Sequence, residues 1–122
     1  MTRPAAASAG AASLVERVLA RDRAAVARAI SVIERGETGA GELLRGLRRH
    51  LGRAYRIGIT GPPGAGKSSL VSALGALLVA QGNSIGVLAV DPSSQFTQGA
   101  VLGDRVRMAE LDRADGIFIR SM

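Results

Sequence analysis

Apolar residues recur every three or four positions through the first half of the chain, the spacing that places them on one face of a helix. The sequence predicts three helices. The first begins at the capping-box pair Ser13 and Glu16, the second is capped by Asp22 and ended by Gly36, and the third covers about Glu42 to Leu51. Residues 1–12 are mostly alanine and small polar residues, which predicts a mobile tail. Residues 13–54 are therefore expected to form an N-terminal helical segment.

The second half changes to short apolar runs separated by turn residues. The predicted elements are a short buried strand over Tyr55–Thr60, a helix over Ser69–Leu78, a strand over Ile85–Val90 and the start of a third strand at Ile117–Ile119. Strands that are apolar on both faces suit a parallel sheet covered by helices. The fold class is thus α/β, with residues 55–122 as the first part of a P-loop NTPase parallel sheet, an incomplete domain.

Between the predicted strand at 55–60 and the helix after it lies the pattern G-x-x-x-x-G-K-S, the phosphate-binding P-loop. The candidate nucleotide-binding residues are Gly61, Pro62, Pro63, Gly64, Ala65, Gly66, Lys67, Ser68 and Ser69. Lys67 is the only lysine in a chain otherwise supplied with arginine. A compact ammonium on a flexible stem differs chemically from a planar guanidinium. The single lysine therefore indicates that this position requires an ammonium group.

Each residue type in the loop suits phosphate binding. Glycines let the backbone approach a ligand with its N–H groups turned inward, and the following helix aims its positive end at the same oxygens. Lys67 would reach the outer phosphates as the first candidate catalytic residue, and Ser68 would bind Mg²⁺ through its hydroxyl. Ser69 is the less secure serine because one helical step turns it away. The alternative is that the glycines only tighten a strand-to-helix turn.

Two acids are further candidates. Asp91 ends the strand after the P-loop helix, at the sheet edge where ligands bind, and would serve catalysis and the metal; a turn before Pro92 is the alternative. Asp104 could approach the metal as a catalytic group, although a helix cap is the better interpretation from the sequence alone.

Composition narrows the class of protein. There is no cysteine, which excludes disulfides and thiolate metal sites, and no apolar run is long enough for a membrane span, so we expect a cytoplasmic protein without membrane contact. The net charge is +6. Arginines cluster just ahead of the P-loop at Arg45, Arg48, Arg49, Arg53 and Arg56, where a solvated helix face is favoured over an acidic partner or nucleic acid. Nucleic acid is disfavoured because no aromatics are interleaved to stack bases.

Some expected parts of a GTPase do not occur in the sequence. The third strand ends Ile119-Arg120-Ser121-Met122 without an acid at its tip, and no Asn-Lys-x-Asp guanine-reading motif occurs. We therefore expect an N-terminal part of a longer protein, and we expect these residues alone to be inactive because phosphoryl transfer depends on positioned charge around the γ-phosphate.

Several segments together resemble the methylmalonyl-CoA mutase-associated GTPases of the ArgK/MeaB type. They are Asp22–Ile30, Gly58–Leu70 around the P-loop, Ala89–Ser94 with Asp-Pro-Ser-Ser, Gly99–Met108 with Leu-Gly-Asp-Arg-Val-Arg-Met, and Phe118–Met122. The P-loop alone is generic, whereas the second and third motifs are specific. The resemblance covers about residues 20–122.

The resemblance implies a GTP-hydrolysing, usually dimeric chaperone that protects an adenosylcobalamin-dependent acyl-CoA mutase and gates its cofactor loading. It implies GTP and Mg²⁺ as ligands, with Lys67 and Ser68 on phosphate and metal and with Asp91 and Asp104 in the metal and switch region. Two alternatives stay open from the residues themselves: a related P-loop metallochaperone or ATPase, and a non-catalytic interaction fragment.

Overall fold

The computed structural model describes residues 4–90 and 115–122, with side chains from residue 9 onward. It divides into two compact units, Met1–Arg56 and Ile57–Met122. The elements are α1 (Pro4–Leu19), α2 (Arg23–Glu34), α3 (Ala40–Leu47), a one-turn 3₁₀ helix (Arg48–His50), α4 (Lys67–Ala80), β1 (Ile85–Ala89) and β2 (Ile117–Ser121). Helices followed by a parallel sheet confirm the α/β class, and the segment boundaries predicted at residues 12 and 54 stay predictions.

α1 begins earlier than the sequence pattern predicts. The helix runs from Pro4, so Ser13 lies in its interior and the predicted start of the first helix at Ser13 is wrong. The mobile tail over residues 1–12 stays a prediction. The physical reason for the early start is the alanine content of this stretch, because alanine has the highest helix propensity. Proline is well placed at a first helical position, where its missing N–H leaves no helical hydrogen bond unmade.

The predicted caps of α2 are confirmed. The Asp22 Oδ1 atom accepts a hydrogen bond from the Ala25 N–H at 3.1 Å, while Oδ2 accepts two from the Arg17 guanidinium at 2.7 and 2.9 Å. The hydrogen bonds from Arg17 have the largest effect and the bond from Ala25 the next largest, and both hold the pKa of the Asp22 carboxyl below its ordinary value. At the other end Gly36 adopts a φ of 60° and the Glu37 N–H donates to Val32 O at 3.0 Å, which closes the helix.

The core of the first unit centres on Leu43, whose exposure is 0%. It packs with Ala29 and Val32 of α2, and the partly buried residues against this cluster are Leu14, Val15, Val18, Ala40 and Leu47. α1 and α3 approach closely where Gly46 meets Val15, because a β-carbon at Gly46 would lie 2.8 Å from the Val15 Cγ2 atom. Glycine at that position therefore sets the distance between the two helices.

The predicted third helix is shorter and less one-sided than its leucine spacing indicates. α3 ends at Leu47, and the chain tightens into the 3₁₀ turn before Leu51. The spacing of Leu43, Leu44, Leu47 and Leu51 indicates one shared helical face. Leu44 is 48% exposed and Leu51 is 66% exposed, so these leucines do not share one buried face. Leu51 lies beyond the helix, and a helical spacing argument no longer applies to it.

The second unit contains a two-stranded parallel sheet. β1 pairs with β2 in the register Ile85 to Ile117 through Ala89 to Ser121, and the ladder extends to the Met122 N–H, which donates to Ala89 O at 2.9 Å. α4 lies against this sheet where a β-carbon at Gly75 would sit 3.7 Å from Ile117 Cδ1. Both strands of the sheet were predicted from their apolar runs, and both form.

The buried strand predicted over Tyr55–Thr60 is wrong for this structure. The segment has no strand assignment, and Tyr55 is 91% exposed. A strand needs a neighbour that completes its hydrogen-bond ladder, and apolar residues with high β-propensity do not supply one. The chain accordingly reaches the glycine-rich loop through an irregular segment.

α4 and β1 carry apolar side chains beyond those that pack together. Leu70 and Leu77 of α4 are 55% and 56% exposed, and Leu88 of β1 is 58% exposed. A helix that is hydrophobic all round is typical of one buried among other elements of a fold.

Within the described residues, no helix is long and apolar enough to cross a membrane.

Replacing Leu43 by alanine should lower the free energy of unfolding by roughly 2–5 kcal/mol, the usual cost of emptying a fully buried leucine site. Leu44→Ala is the matched control, since the neighbouring side chain is half exposed and should cost far less. Urea unfolding followed by circular dichroism measures both. Equal losses for the two variants would show that Leu43 is not the centre of this core.

Candidate functional site

The candidate site is the loop Gly61–Gly66 and the first turn of α4. Gly64 and Gly66 have φ values of 76° and 93°, a left-handed conformation that side chains with a β-carbon rarely adopt. A β-carbon on either glycine would have no atom of residues 9–90 or 115–122 within 4 Å, so these residues leave the space beside the loop open. These two glycines thus let the chain turn sharply into the helix and leave room beside its backbone.

Lys67 folds back over the loop that precedes it. Its Nζ atom donates hydrogen bonds to Gly61 O at 2.7 Å and to Pro62 O at 2.8 Å. Hydrogen bonds from a charged donor are shorter and stronger than neutral ones. The ammonium therefore ties the first residues of the loop to the start of the helix and holds a positive charge over the curved backbone.

The start of α4 adds a second source of positive potential. Gly66 caps the helix without a side chain that could accept a hydrogen bond, and the first helical bond runs from the Leu70 N–H to Gly66 O at 2.9 Å. First-turn N–H groups of a helix lack acceptors within the helix, so they are ready donors to an anion. Lys67 is the first residue of this turn.

Two prolines restrict which loop positions can donate. Pro62 and Pro63 have no backbone N–H, while Pro62 O accepts from the Ala65 N–H at 3.3 Å. The backbone donors of the loop are therefore confined to Gly61 and to the residues from Gly64 onward. The prolines also fix the local φ, which limits the shapes the loop can take.

The two serines differ in exposure. Ser68 is half-buried beside Lys67, whereas Ser69 is exposed. One step along the helix changes the direction of the side chain, which accounts for the difference in exposure. Metal binding by Ser68 and phosphate binding by either serine stay predictions.

Asp91 and Asp104 lie outside the described residues. β1 ends at Ala89, and Val90 is the last described residue before Asp91. Among residues 4–90 and 115–122, no group of three or more His, Cys, Asp or Glu side chains is placed to hold a metal ion. The assignment of both aspartates to the metal region therefore stays a prediction.

Sequence reasoning missed the two carbonyl oxygens that receive Lys67. A motif identifies side chains, while Gly61 O and Pro62 O are backbone atoms that every residue type supplies. The available signal was the spacing, because a flexible four-carbon stem at the start of a helix can reach back to the residues that opened the loop.

Comparison with known proteins places this loop in a family. The family model described as methylmalonyl Co-A mutase-associated GTPase MeaB matches residues 26–122. The chain belongs to the MeaB family. This confirms the resemblance seen in the sequence motifs, and it covers the loop, α4 and both strands.

Individual relatives agree with this membership. A protein of Pyrococcus abyssi is 49% identical over 109 residues, which are 89% of this chain and 34% of the relative. GTPase ArgK of Escherichia coli is 41% identical over 113 residues, again 89% of this chain and 34% of the relative. An uncharacterized protein in the mutB 3′ region of Streptomyces virginiae is 49% identical over 90 residues, 70% of this chain and 97% of the relative.

The chain spans about a third of the length of the first two relatives, 34% in each case. The matched third contains the phosphate loop. Similarity over this third does not by itself establish the activity, ligands or partners of the whole protein.

Lys67→Ala should weaken binding of a nucleoside triphosphate at least about tenfold, or roughly 1.4 kcal/mol, because the chain has no other lysine to place over the loop. Isothermal titration calorimetry measures the affinity. Arg35→Ala, which removes one positive charge from an exposed helix end, is the control and should leave affinity unchanged. Equal affinity of Lys67→Ala and the unaltered protein would remove the phosphate-site assignment.

Proposed function

We propose that the protein binds Mg-GTP at residues 61–69, hydrolyses GTP, and acts as a chaperone and gate for an adenosylcobalamin-dependent acyl-CoA mutase, methylmalonyl-CoA mutase. The observation that carries this proposal is the Lys67 ammonium held over the loop by Gly61 O and Pro62 O. A positive charge beside the first-turn N–H groups of a helix favours the binding of a polyphosphate.

The family gives the proposal its nucleotide and its partner. The matching family is described by association with methylmalonyl Co-A mutase and as a GTPase, and the Escherichia coli relative is named a GTPase. The Streptomyces virginiae relative is described by its place in the mutB 3′ region. These descriptions support GTP over ATP and a mutase over other partners.

Within the site, each residue has a proposed task. Lys67 neutralises charge on the outer phosphates, and the N–H groups of Gly64, Gly66, Lys67 and Ser68 bind the phosphate oxygens. Ser68 offers its hydroxyl to Mg²⁺. Asp91 would hold the metal through its water, and Asp104 would join the metal and switch region.

The residues present fit a magnesium nucleotide. The described part of the chain leaves the space beside Gly64 and Gly66 open, and Ser68 supplies the oxygen ligand that this hard cation prefers. Mg²⁺ bound to the phosphates supplies charge neutralisation during transfer. The chain's own part is to bind the phosphates, orient them along the helix start and keep a lysine beside them.

Further features belong to the same proposal. We place the protein in the cytoplasm, as a homodimer when full length, without a membrane or nucleic acid partner. The 122-residue chain alone is expected not to turn GTP over, because phosphoryl transfer requires positioned water and charge around the γ-phosphate.

Titration of GTP and ATP into the full-length protein, each with and without magnesium, tests the proposal. GTP should bind more tightly than ATP, and Asp91→Asn should lower the Mg²⁺-dependent affinity far more than the magnesium-free affinity, because Asp91 is proposed to act through the metal.

Asp115→Asn is the matched control, since Asp115 precedes β2 and so lies at the amino edge of the parallel sheet, opposite the end of β1. It should change neither affinity. Equal losses for Asp91→Asn with and without magnesium would make Asp91 a structural turn residue, and equal binding of GTP and ATP would contradict the GTPase proposal.

A further inference from the structure

The exposed segment of residues 48–56, here called the arginine segment, has four arginines that the described structure leaves without carboxylate partners. They are Arg48, Arg49, Arg53 and Arg56. Elsewhere in the same unit, arginines pair with acids: Arg17 with Asp22 at 2.7 Å, Arg28 with Glu37 at 2.7 Å, and Arg45 with Glu42 at 3.1 Å. These three arginines thus pair with the chain's own acids, whereas within the described residues none of the four in the arginine segment does.

The sequence explains why local pairing does not occur. No aspartate or glutamate lies between Glu42 and Asp91. Arg48 and Arg49 are adjacent, and Arg53 and Arg56 are three residues apart, which is at most about 11 Å of extended chain. Like charges at these separations repel one another within the Debye length of about 8–10 Å at physiological ionic strength.

Stabilisation of a helix end accounts for only part of this charge. Arg48 and Arg49 follow the carboxyl end of α3, where positive charge is favourable. That effect falls off within the last turn, and Arg53 and Arg56 lie beyond it. The outer two arginines therefore need another explanation.

Apolar side chains are exposed among these charges. Leu51 is 66% exposed and Tyr55 is 91% exposed. Tyrosine and arginine are enriched in the residues that dominate protein–protein binding energy. Single-stranded nucleic acid is the poorer fit, because His50 and Tyr55 supply only two rings in the segment that could stack a base.

We propose that the arginine segment is a docking surface for an acidic protein surface, with Tyr55 and Leu51 as its apolar centre. This deepens and rests on the proposed function, in which the protein partner is the acyl-CoA mutase. The arginines would steer the encounter by charge complementarity, while Tyr55 would be buried once the partners meet.

Binding kinetics of the protein with the adenosylcobalamin-dependent acyl-CoA mutase of the same organism test the proposal. Arg48→Gln, Arg49→Gln and Arg53→Gln combined should lower the association rate at least about tenfold and flatten its dependence on salt, since charges at the rim of an interface act chiefly on association. Tyr55→Ala should instead raise the dissociation rate.

The matched control combines Arg21→Gln, Arg23→Gln and Arg35→Gln, which removes the same charge from exposed positions of the same unit. It should change the association rate less than about threefold, the span expected of small long-range charge effects. Thermal unfolding and Mg-GTP affinity, measured on every variant, should match the unaltered protein.

The outcomes separate the two proposals. Binding of the mutase that is unaffected by the segment variants, or affected equally by the control, overturns the docking surface and leaves the proposed function standing. Loss of binding to a single-stranded RNA oligonucleotide in the segment variant, with mutase binding unchanged, also overturns it. If the unaltered protein binds GTP but not the mutase, the proposed partner fails and the docking surface fails with it.

Discussion

The candidate site depends on the bridge between the Lys67 ammonium and the carbonyl oxygens of Gly61 and Pro62. One side chain joins the two ends of the loop, so the path of the backbone and the position of the positive charge are fixed together. The prolines and left-handed glycines limit the shapes available between those ends. Preorganisation of this kind reduces the ordering cost that a bound phosphate would otherwise impose.

Local features of the fold were predictable from sequence, and features that depend on distant neighbours were not. The Asp22 cap requires only residues three positions apart, and β1 and β2 are marked by apolar runs. The segment 55–60 has the same apolar character but forms no strand, because strand pairing depends on where another part of the chain lies. The early start of α1 follows from the alanine content of residues 5–12, which a capping-box spacing at Ser13 does not take into account.

The candidate site divides in the same way. The motif located the loop directly before α4, where the structure has it, while the binding roles of Ser68 and Ser69 stay predictions. The motif did not predict which backbone atoms accept hydrogen bonds from Lys67, because every residue type carries the same carbonyl oxygen. A pattern of apolar residues likewise does not predict that leucines of α4 and β1 are exposed. Burial of each depends on which elements surround it.

Amide chemical-shift mapping by NMR tests most directly whether the loop and the start of α4 bind phosphate. Mg-GTP and pyrophosphate should both shift the backbone amides of Gly64, Gly66, Lys67 and Ser68, whereas guanosine, which lacks phosphate, should leave them in place. The amides of Leu43 and Gly46 in the helical unit should not move with any ligand. Shifts confined to residues outside the loop, or equal shifts with guanosine, would contradict the account.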